Sequence, residues 1–409
     1  MTSISANELL WYKRRAMRIV RFAPLLALVL AACGGGAAPA SSPSNAVPAS
    51  PSVAASAKPA AAASTSAAAS AKPAGSASAK PAASAAASGA AAAKPGAGDH
   101  VKVGTGPAVG SAGFFIGIDR GYFKDQGIDV EVVPFAGAAE MATPLAADQL
   151  DVINADPSTA FLNAIGRGIG IKFVADGGHT TKGHSSAAFL VRKDLIDSGA
   201  IKDYPDLKGK KINAVLKGSL VDMWANRILA KGGLKPADAE LQYIPFPDSI
   251  GAMGNKALDA GMNVEPLTTS AVDKGVAVRW KGIDEIFGDL QNTVIMYSAS
   301  FISQRPDVGK RFMVGYLHGV RDYMDAFENN KDRDAIVSIL TKNTSVKDPA
   351  LYSRMSMPVF DRNGAMLPAS MKNMQQWWVD NGYVKTPVDI DKAIDMSFAG
   401  YAVGKLGKA

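Results

Sequence analysis

Two neighbouring stretches decide the fold: GYFKDQGIDVEVVPF at residues 121–135 and AADQLDVINADPSTAFLNAIGRGIGIKFVAD at residues 146–176. Three runs in them, IDVEVV, LDVINA and IKFVA, are rich in β-branched residues, which favours strands. The segments between these runs are roughly ten residues long and suit helices. Strands that alternate with helices of this length predict βαβ units and a parallel sheet covered on both faces.

The same alternation extends in both directions along the chain. Upstream, VKVGT (101–105) predicts a strand, and SAGFFIGIDRGYF predicts a helix that ends near Gly121. Downstream, AAFLV (187–191) is followed by the strand-like runs KINAV, LQYI, ALDAGMNV and VAVRW, with helical segments such as SLVDMWANRILAKGG between them. From Asp307 the chain becomes mainly helical, and RFMVGYLHGVRDYMDAF repeats apolar residues at helical spacing. The predicted class is α/β with a helical C-terminal portion.

The N-terminus has a different character. Five Lys and Arg residues precede FAPLLALVLAA, a short apolar run that is typical of a secretory signal and too short to span a bilayer. Leu30-Ala31-Ala32-Cys33 resembles the bacterial lipobox. We therefore expect residues 1–32 to be a signal peptide and Cys33, the only cysteine, to carry a lipid anchor. The alternative, a buried thiol, fits poorly with the Gly and Ala residues that follow.

Residues 33–98 consist almost entirely of Ala, Ser, Pro, Gly and Lys, with SAKPA repeated at residues 56, 70 and 78. Such a segment has too little apolar surface to offset the entropy of ordering, so a disordered tether is expected. Of the formal net charge of +7, the signal contributes +4 and the tether another +4, which leaves about −1 for the rest. The basic balance is therefore no argument for a nucleic-acid partner.

Six pieces of the folded region resemble, in order, the periplasmic substrate-binding proteins of the nitrate/sulfonate/taurine type, which include thiamine-pyrimidine-binding relatives. They are the two stretches quoted first, taken as one piece, then DLKGKKI (206–212), KGSLVDMWANRILAKGGLKPADAELQYIPF (217–246), ALDAGMNVEPLTTSAVDKG (257–275), ISQRPDVGKRFMVGYLHGVRDYMDAF (302–327) and WWVDNGYVKTPVDIDKAIDMSFAGYA (377–402). The resemblance covers nearly all of residues 101 to 403.

The resemblance implies a type II periplasmic-binding-protein fold, with two α/β lobes, a ligand cleft between them and two crossing strands. AAFLV near 187–191 and TVIMYSA near 293–299 would be the crossings. Lobe 1 would then comprise residues 99–191 and 295–409, and lobe 2 residues 192–294.

Ligands of open α/β sheets sit beyond the carboxyl ends of the strands, where helix N-termini present free N–H groups. The turns that follow the strands therefore supply the candidate ligand-binding residues, which are Thr105, Gly106, Ser111, Gly137, Asp156, Ser158, Gly218 and Ser219. Converging helix N-termini suit an anionic group. The alternative is that these residues are ordinary helix caps.

Three further residues are more ambiguous. The Phe114 ring could form a wall of the cleft or pack in the core. The resemblance places Glu265 in the cleft, where an acid suits a ligand with a hydrogen-bond donor, unless Glu265 caps the following helix instead. Trp224 could stack on a ring, although a helix-core role is commoner for tryptophan.

The four histidines indicate neither catalysis nor a metal site. His179 and His184 lie in the loop GGHTTKGHSS without the further ligands that a metal needs. No nucleophile elbow or phosphate-binding loop is present, and no cofactor is expected.

The resemblance implies a monomeric, lipid-anchored solute-binding protein of the cell envelope. It would capture a small anionic or heterocyclic solute, of the nitrate, sulfonate, taurine or aromatic carboxylate class, for the permease and ATPase of an ATP-binding-cassette importer. A lipoprotein that presents its ligand to a sensor, and an enzyme like the thiamine-pyrimidine synthases, are the alternatives.

Overall fold

The computed structural model describes residues 98–135 and 137–409. The predicted signal peptide, the anchor Cys33 and the tether up to residue 97 lie outside these residues. A search of the described helices for one with the length and hydropathy to cross a bilayer found none.

The described residues contain ten strands: β1 Asp99–Thr105, β2 Ile128–Pro134, β3 Val152–Ala155, β4 Lys172–Thr180, β5 Ala187–Arg192, β6 Lys211–Asn213, β7 Glu240–Gln242, β8 Ala260–Val264, β9 Ala277–Gly282 and β10 Leu290–Tyr297. Their α-helices are α1 Ala112–Asp119, α2 Tyr122–Asp125, α3 Ala138–Ala146, α4 Thr159–Gly166, α5 Lys193–Asp197, α6 Leu220–Lys231, α7 Phe246–Gly254, α8 Leu267–Asp273, α9 Ile283–Phe287, α10 Ala299–Gln304, α11 Pro306–Glu328, α12 Arg333–Asn343, α13 Pro368–Asp380, α14 Ile390–Ala393 and α15 Ser397–Leu406. The predicted alternation of strands and helices is confirmed.

The strands form two five-stranded sheets with the same pattern. The first has the order β2-β1-β3-β10-β4, and the second has the order β7-β6-β8-β5-β9. In each sheet three strands pair in parallel, β2-β1-β3 and β7-β6-β8. The remaining strand pairings, made by β10 and by β5, are antiparallel. Two α/β sheets built in this way confirm the predicted fold class.

The predicted crossings need a correction. The apolar run AAFLV is β5, which pairs with β8 and β9 of the second sheet, and β10 pairs with β3 and β4 of the first. Because the β5 side chains from Ala187 to Val191 are all buried, this run is a core strand of the second sheet. The chain therefore passes between the sheets at residues 181–186, and it returns between the end of β9 and the start of β10.

Strand directions show which sheet edges meet at these crossings. β4 runs antiparallel to β10, and β10 runs antiparallel to β3, so β4 leaves the first sheet at the edge where β3 ends. β5 enters the second sheet with Ala187 paired to Val264, the last residue of β8. The carboxyl ends of the parallel strands in both sheets therefore face the crossings, which is where the predicted cleft would lie.

The long helix α11 carries the apolar face that its sequence predicts. Met313, Leu317, Val320 and Met324 are buried in the core of the first sheet, against α1. The two helices approach closely at glycines, because a Cβ atom on Gly319 would collide with the backbone of α1. A second apolar cluster includes residues of both sheets and of α13, so α13 connects the two halves of the molecule.

Candidate ligand cleft

The turn after β1 is held by its own hydroxyl groups. Ser111 Oγ donates to the carbonyl of Gly106 at 2.9 Å, so Thr105 Oγ1 donates to Ser111 Oγ at 2.5 Å. Both hydroxyl-bearing residues are buried. The structure brings the three predicted residues together, and the two side chains fix the conformation of the turn, in which Gly106 is half-buried.

The last residues of β3 and the turn after it contain polar oxygen atoms that lack partners. Asn154 Nδ2 donates to the carbonyls of Gly110 (2.8 Å) and Gly177 (3.2 Å), whereas the buried Oδ1 accepts no hydrogen bond. Ser158 occupies the N-cap of α4, but its side chain does not cap the helix, and the buried Oγ has no hydrogen-bond partner. An unused N-cap hydroxyl is unusual, because serine at this position normally satisfies a helix N–H.

Asp156 lies between these two residues and is half-buried. Loss of hydration raises the pKa of its carboxyl to about 6, and only its own backbone N–H opposes the shift. No salt bridge to its carboxylate exists among the described residues. The structure thus places a half-buried acid without a counter-charge at the carboxyl end of β3.

The corresponding turn of the second sheet is internally satisfied. Ser219 Oγ caps α6 by accepting from the N–H of Asp222 at 3.2 Å. The carboxylate of Asp222 accepts from Gly218 N at 2.8 Å and from Asn226 Nδ2 at 2.9 Å. Gly218 has a φ of +76°, and a Cβ atom there would lie 2.9 Å from the ring of Tyr383. Ser219 is therefore the ordinary cap that the sequence left open as an alternative.

Exposed apolar side chains on this side of the cleft were missed in the sequence. Leu216 is 56% exposed in the turn after β6, and Tyr243 is 42% exposed after β7. Val215 beside them has a φ of 63°, which β-branched residues rarely adopt, and its N–H bonds to Asn213 Oδ1 at 3.2 Å. Strained turns cluster at functional sites. The position of Leu216 and Tyr243 just after strands was the available signal.

Glu265 is held by protein partners. Its Oε2 accepts from the N–H (3.1 Å) and the hydroxyl (2.7 Å) of Thr269 in α8, and its Oε1 accepts from Ser356 N at 3.3 Å. Arg279 Nη1 lies 3.5 Å from Oε1. These contacts agree with the alternative in which Glu265 bonds to the following helix, and its role in ligand binding stays a prediction. It lines a surface cavity of about 630 Å³.

The same region carries contacts between the two halves of the molecule. Ser356, which bonds to Glu265, follows the 3₁₀ turn Pro349–Ser353 and precedes Val359, which bridges to β4 of the first sheet. Two residues earlier, Arg354 Nη1 lies 2.6 Å from Asp273 Oδ2 of α8. These contacts join the C-terminal region to the second sheet on one side of the crossings.

Two other predicted residues differ in outcome. Phe114 is fully buried, with its ring centroid 5.1 Å from that of Tyr316, so it is a core residue and its assignment to the cleft is corrected. Gly137 lies at the N-terminus of α3, after β2, as the sequence predicts. Trp224 is also buried, in the helix-core role.

The two histidines predicted in one loop lie in different elements, because His179 belongs to strand β4 and only His184 lies in the segment that follows it. His179 Nδ1 lies 2.9 Å from Asp176 Oδ2. Although burial lowers its pKa, the hydrogen bond and charge of Asp176 raise the pKa of His179 overall. His184 is exposed. Across the described part of the chain, no group of three or more His, Cys, Asp or Glu residues is arranged to hold a metal ion.

Comparison with known proteins agrees with this architecture. The NMT1/THI5-like family profile matches residues 109–328, just over half of the chain. The chain therefore belongs to this family. A curated relative, the nitrate/nitrite binding protein NrtA of a Nostoc species, is 25% identical over 150 residues, which are 36% of this chain and 34% of the relative. The chain thus matches about a third of that relative's length.

Solved structures show the same fold at low sequence identity. The periplasmic nitrate-binding protein NrtA from Synechocystis has a TM-score of 0.63 and 17% identity, over 75% of this chain and 89% of that one. The periplasmic aliphatic sulphonate binding protein SsuA from Escherichia coli has a TM-score of 0.60 and 17% identity, over 74% of this chain and 99% of that one. The fold is that of the periplasmic binding proteins, as the resemblance implied.

Proposed function

We propose that this protein is the solute-binding component of an ATP-binding-cassette importer and that it captures a small solute in the cleft between its two sheets. The observation that carries the proposal is the pair of unpartnered oxygens, Asn154 Oδ1 and Ser158 Oγ, at the carboxyl end of β3 in a periplasmic-binding fold. Ligands of open α/β sheets bind at such strand ends. Membership of the NMT1/THI5-like family and the structural neighbours that bind nitrate and sulphonate support it.

The solute class includes small anionic and heterocyclic compounds. Exposed Leu216 and Tyr243 offer apolar contact to a ring or alkyl group. N–H groups at the starts of helices that follow the strands suit an anionic group. The protein binds the solute without making or breaking covalent bonds. The two halves close on the solute by a hinge motion at residues 181–186 and at the chain's return between β9 and β10.

The resemblance of Leu30-Ala31-Ala32-Cys33 to a lipobox supports a location in the cell envelope, with a lipid on Cys33 and the segment up to residue 98 as a tether. A monomer tethered in this way stays close to its permease while it binds solute. The partners are the permease and the ATPase of the importer.

A thermal-shift screen of the full-length protein in mild detergent tests the binding role. The panel contains nitrate, alkyl and aryl sulfonates, taurine, aromatic carboxylates and aminopyrimidines. A solute that binds only the native state raises the melting temperature in proportion to the logarithm of its concentration over its Kd. A saturable rise with one compound class supports the proposal, and the absence of any shift in protein free of co-purified solute contradicts it.

A second experiment separates import from sensing. Deletion of the chain should abolish uptake of the radiolabelled solute identified in the screen, and a copy with the intact cleft should restore it. Normal uptake together with a lost transcriptional response to the solute would favour the sensor role. Turnover of the solute by the purified protein would favour the enzyme alternative.

A further inference from the structure

Two turns of the second sheet present large apolar side chains to solvent. Leu216 in the turn after β6 is 56% exposed, and Tyr243 after β7 is 42% exposed. β6 and β7 are neighbouring parallel strands, so their carboxyl ends, and the two turns with them, lie at the same edge of the sheet. This edge faces the crossings, and ligands of open α/β sheets bind at such strand ends.

Asn213, a fully buried residue at the end of β6, fixes these two turns relative to each other. Its Nδ2 donates to the carbonyl of Ile244 at 3.0 Å, and its Oδ1 accepts from the N–H groups of Ile244 (3.0 Å) and Val215 (3.2 Å). Leu216 and Tyr243 are therefore carried on backbone that is ordered before any solute binds. A preordered site binds with a smaller loss of conformational entropy.

A third ring reaches the start of α6 from a segment attached to the first sheet. Tyr383 follows α13, and its carbonyl accepts at 2.9 Å from Nδ2 of Asn163, in the helix α4 that connects β3 with β4. The Tyr383 ring packs on Gly218, where a Cβ atom would lie 2.9 Å from it. Burial raises the pKa of the Tyr243 and Tyr383 phenols, and the charge of Asp222 raises it further. Both rings therefore lie near the same carboxylate, and both halves of the molecule contribute to this place.

The start of α6 already contains a carboxylate of the protein itself. Asp222 is 2% exposed and accepts from Gly218 N at 2.8 Å and from Asn226 Nδ2 at 2.9 Å. These donors are neutral, so they leave the negative charge of the carboxylate in place. An anionic group of a solute would be repelled by this charge if it bound beside the helix start. This side of the cleft therefore suits an uncharged, apolar part of a solute.

We propose that Leu216, Tyr243 and Tyr383 form an apolar wall that packs against an aromatic ring of the solute. Any anionic group of the solute then binds away from the start of α6. This inference rests on the proposed function and narrows its solute class to aryl sulfonates, aromatic carboxylates and heterocycles. Nitrate, taurine and short alkyl sulfonates do not fit, because they have no ring to pack against the tyrosine rings.

Solutes with and without a ring test this inference in the full-length protein. The matched pairs are benzenesulfonate with methanesulfonate and benzoate with acetate, and 4-amino-2-methylpyrimidine, nitrate and taurine complete the set. Kd is measured by calorimetry for the unchanged protein, for Leu216→Ala, Tyr243→Ala, Tyr383→Ala and Tyr383→Phe, and for the control Tyr401→Ala. The control removes a tyrosine ring that is 36% exposed on α15. Melting curves show whether each variant is folded.

We expect at least one ring-bearing solute to bind and its ring-free counterpart to bind far more weakly. Each alanine substitution in the apolar wall should weaken binding of the ring-bearing solute by roughly 5- to 20-fold, through lost apolar and ring contact, with Tyr401→Ala unchanged. Tyr383→Phe keeps the ring and should therefore retain the affinity of the unchanged protein.

Two results overturn the inference and leave the proposed function standing. One is a ring-free solute, from this set or from the wider thermal-shift panel, that binds as tightly as every ring-bearing solute or more tightly. The other is a loss of affinity in the three alanine variants of the apolar wall that is no larger than in Tyr401→Ala. No binding by any member of the wider panel overturns the proposed function itself.

Discussion

Asp156 should destabilise the protein when no solute is bound, and its replacement by asparagine should reveal the size of this effect. Burial raises its pKa to about 6 in the folded chain from an ordinary value of 3.8. The folded state therefore holds the proton more tightly than the unfolded state does. Stability then falls as pH rises through the interval from about 4 to 6, and the full penalty is present above about pH 7.

The magnitude follows from the shift. A pKa that is higher by roughly two in the folded state lowers the free energy of unfolding by about 3 kcal/mol at pH 7.5. About 1 kcal/mol of this loss is already present at pH 4.5. These figures are upper bounds because Asp156 is partly exposed. Asparagine has no ionisable group, so any effect of its amide on the free energy of unfolding is independent of pH. The advantage of Asp156→Asn over the unchanged protein should therefore be larger at pH 7.5 than at pH 4.5 by about 2 kcal/mol.

The assay is differential scanning calorimetry of solute-free protein at both pH values. For a folded region of roughly 310 residues, about 2 kcal/mol corresponds to about 3 °C in Tm. The control is Asp222→Asn, because Asp222 is a buried carboxylate whose acceptors are satisfied by Gly218 and Asn226. The Asp222→Asn substitution should lower the free energy of unfolding by roughly 1–2 kcal/mol and therefore lower Tm. An advantage of Asp156→Asn that is the same at both pH values would refute the reasoning.

Three further outcomes are expected. Glu265→Gln should lower the free energy of unfolding, measured in urea titrations, by about 1–3 kcal/mol. It should leave solute affinity nearly unchanged, because the carboxylate bonds to partners within the protein. Unchanged stability with a tenfold loss of affinity would instead support a role in ligand binding. Gly218→Ala should lower stability by about 1–2 kcal/mol, since its φ is +76° and the ring of Tyr383 leaves no space, whereas Gly137→Ala, with open space around it, should be neutral; equal melting curves for the two variants would count against this. Cys33→Ala should move the protein from the membrane to the soluble fraction of the cell envelope, and retention of the variant in washed membranes would argue against the lipid anchor.

Periodicity predicted most of the elements because it is a local property. The alternation of IDVEVV, LDVINA and IKFVA with helical segments appears as β2, β3 and β4 with α3 and α4 between them. The same local patterns could not say which sheet a strand joins. AAFLV was predicted as a crossing and is instead the core strand β5, because its partners β8 and β9 lie far along the chain.

The sequence by itself determined the two α/β halves and the turns that follow their strands, and it predicts a lipid anchor at its only cysteine, Cys33. The tertiary structure alone decided which polar groups of those turns are available. Asp156 and Glu265 both follow strands, yet Glu265 bonds to Ser356 and lies beside Arg279, whereas Asp156 has no ion partner. The physical reason is that a charged side chain finds its hydrogen-bond and ion partners among residues that folding brings together. Such partners leave no pattern in the neighbouring sequence.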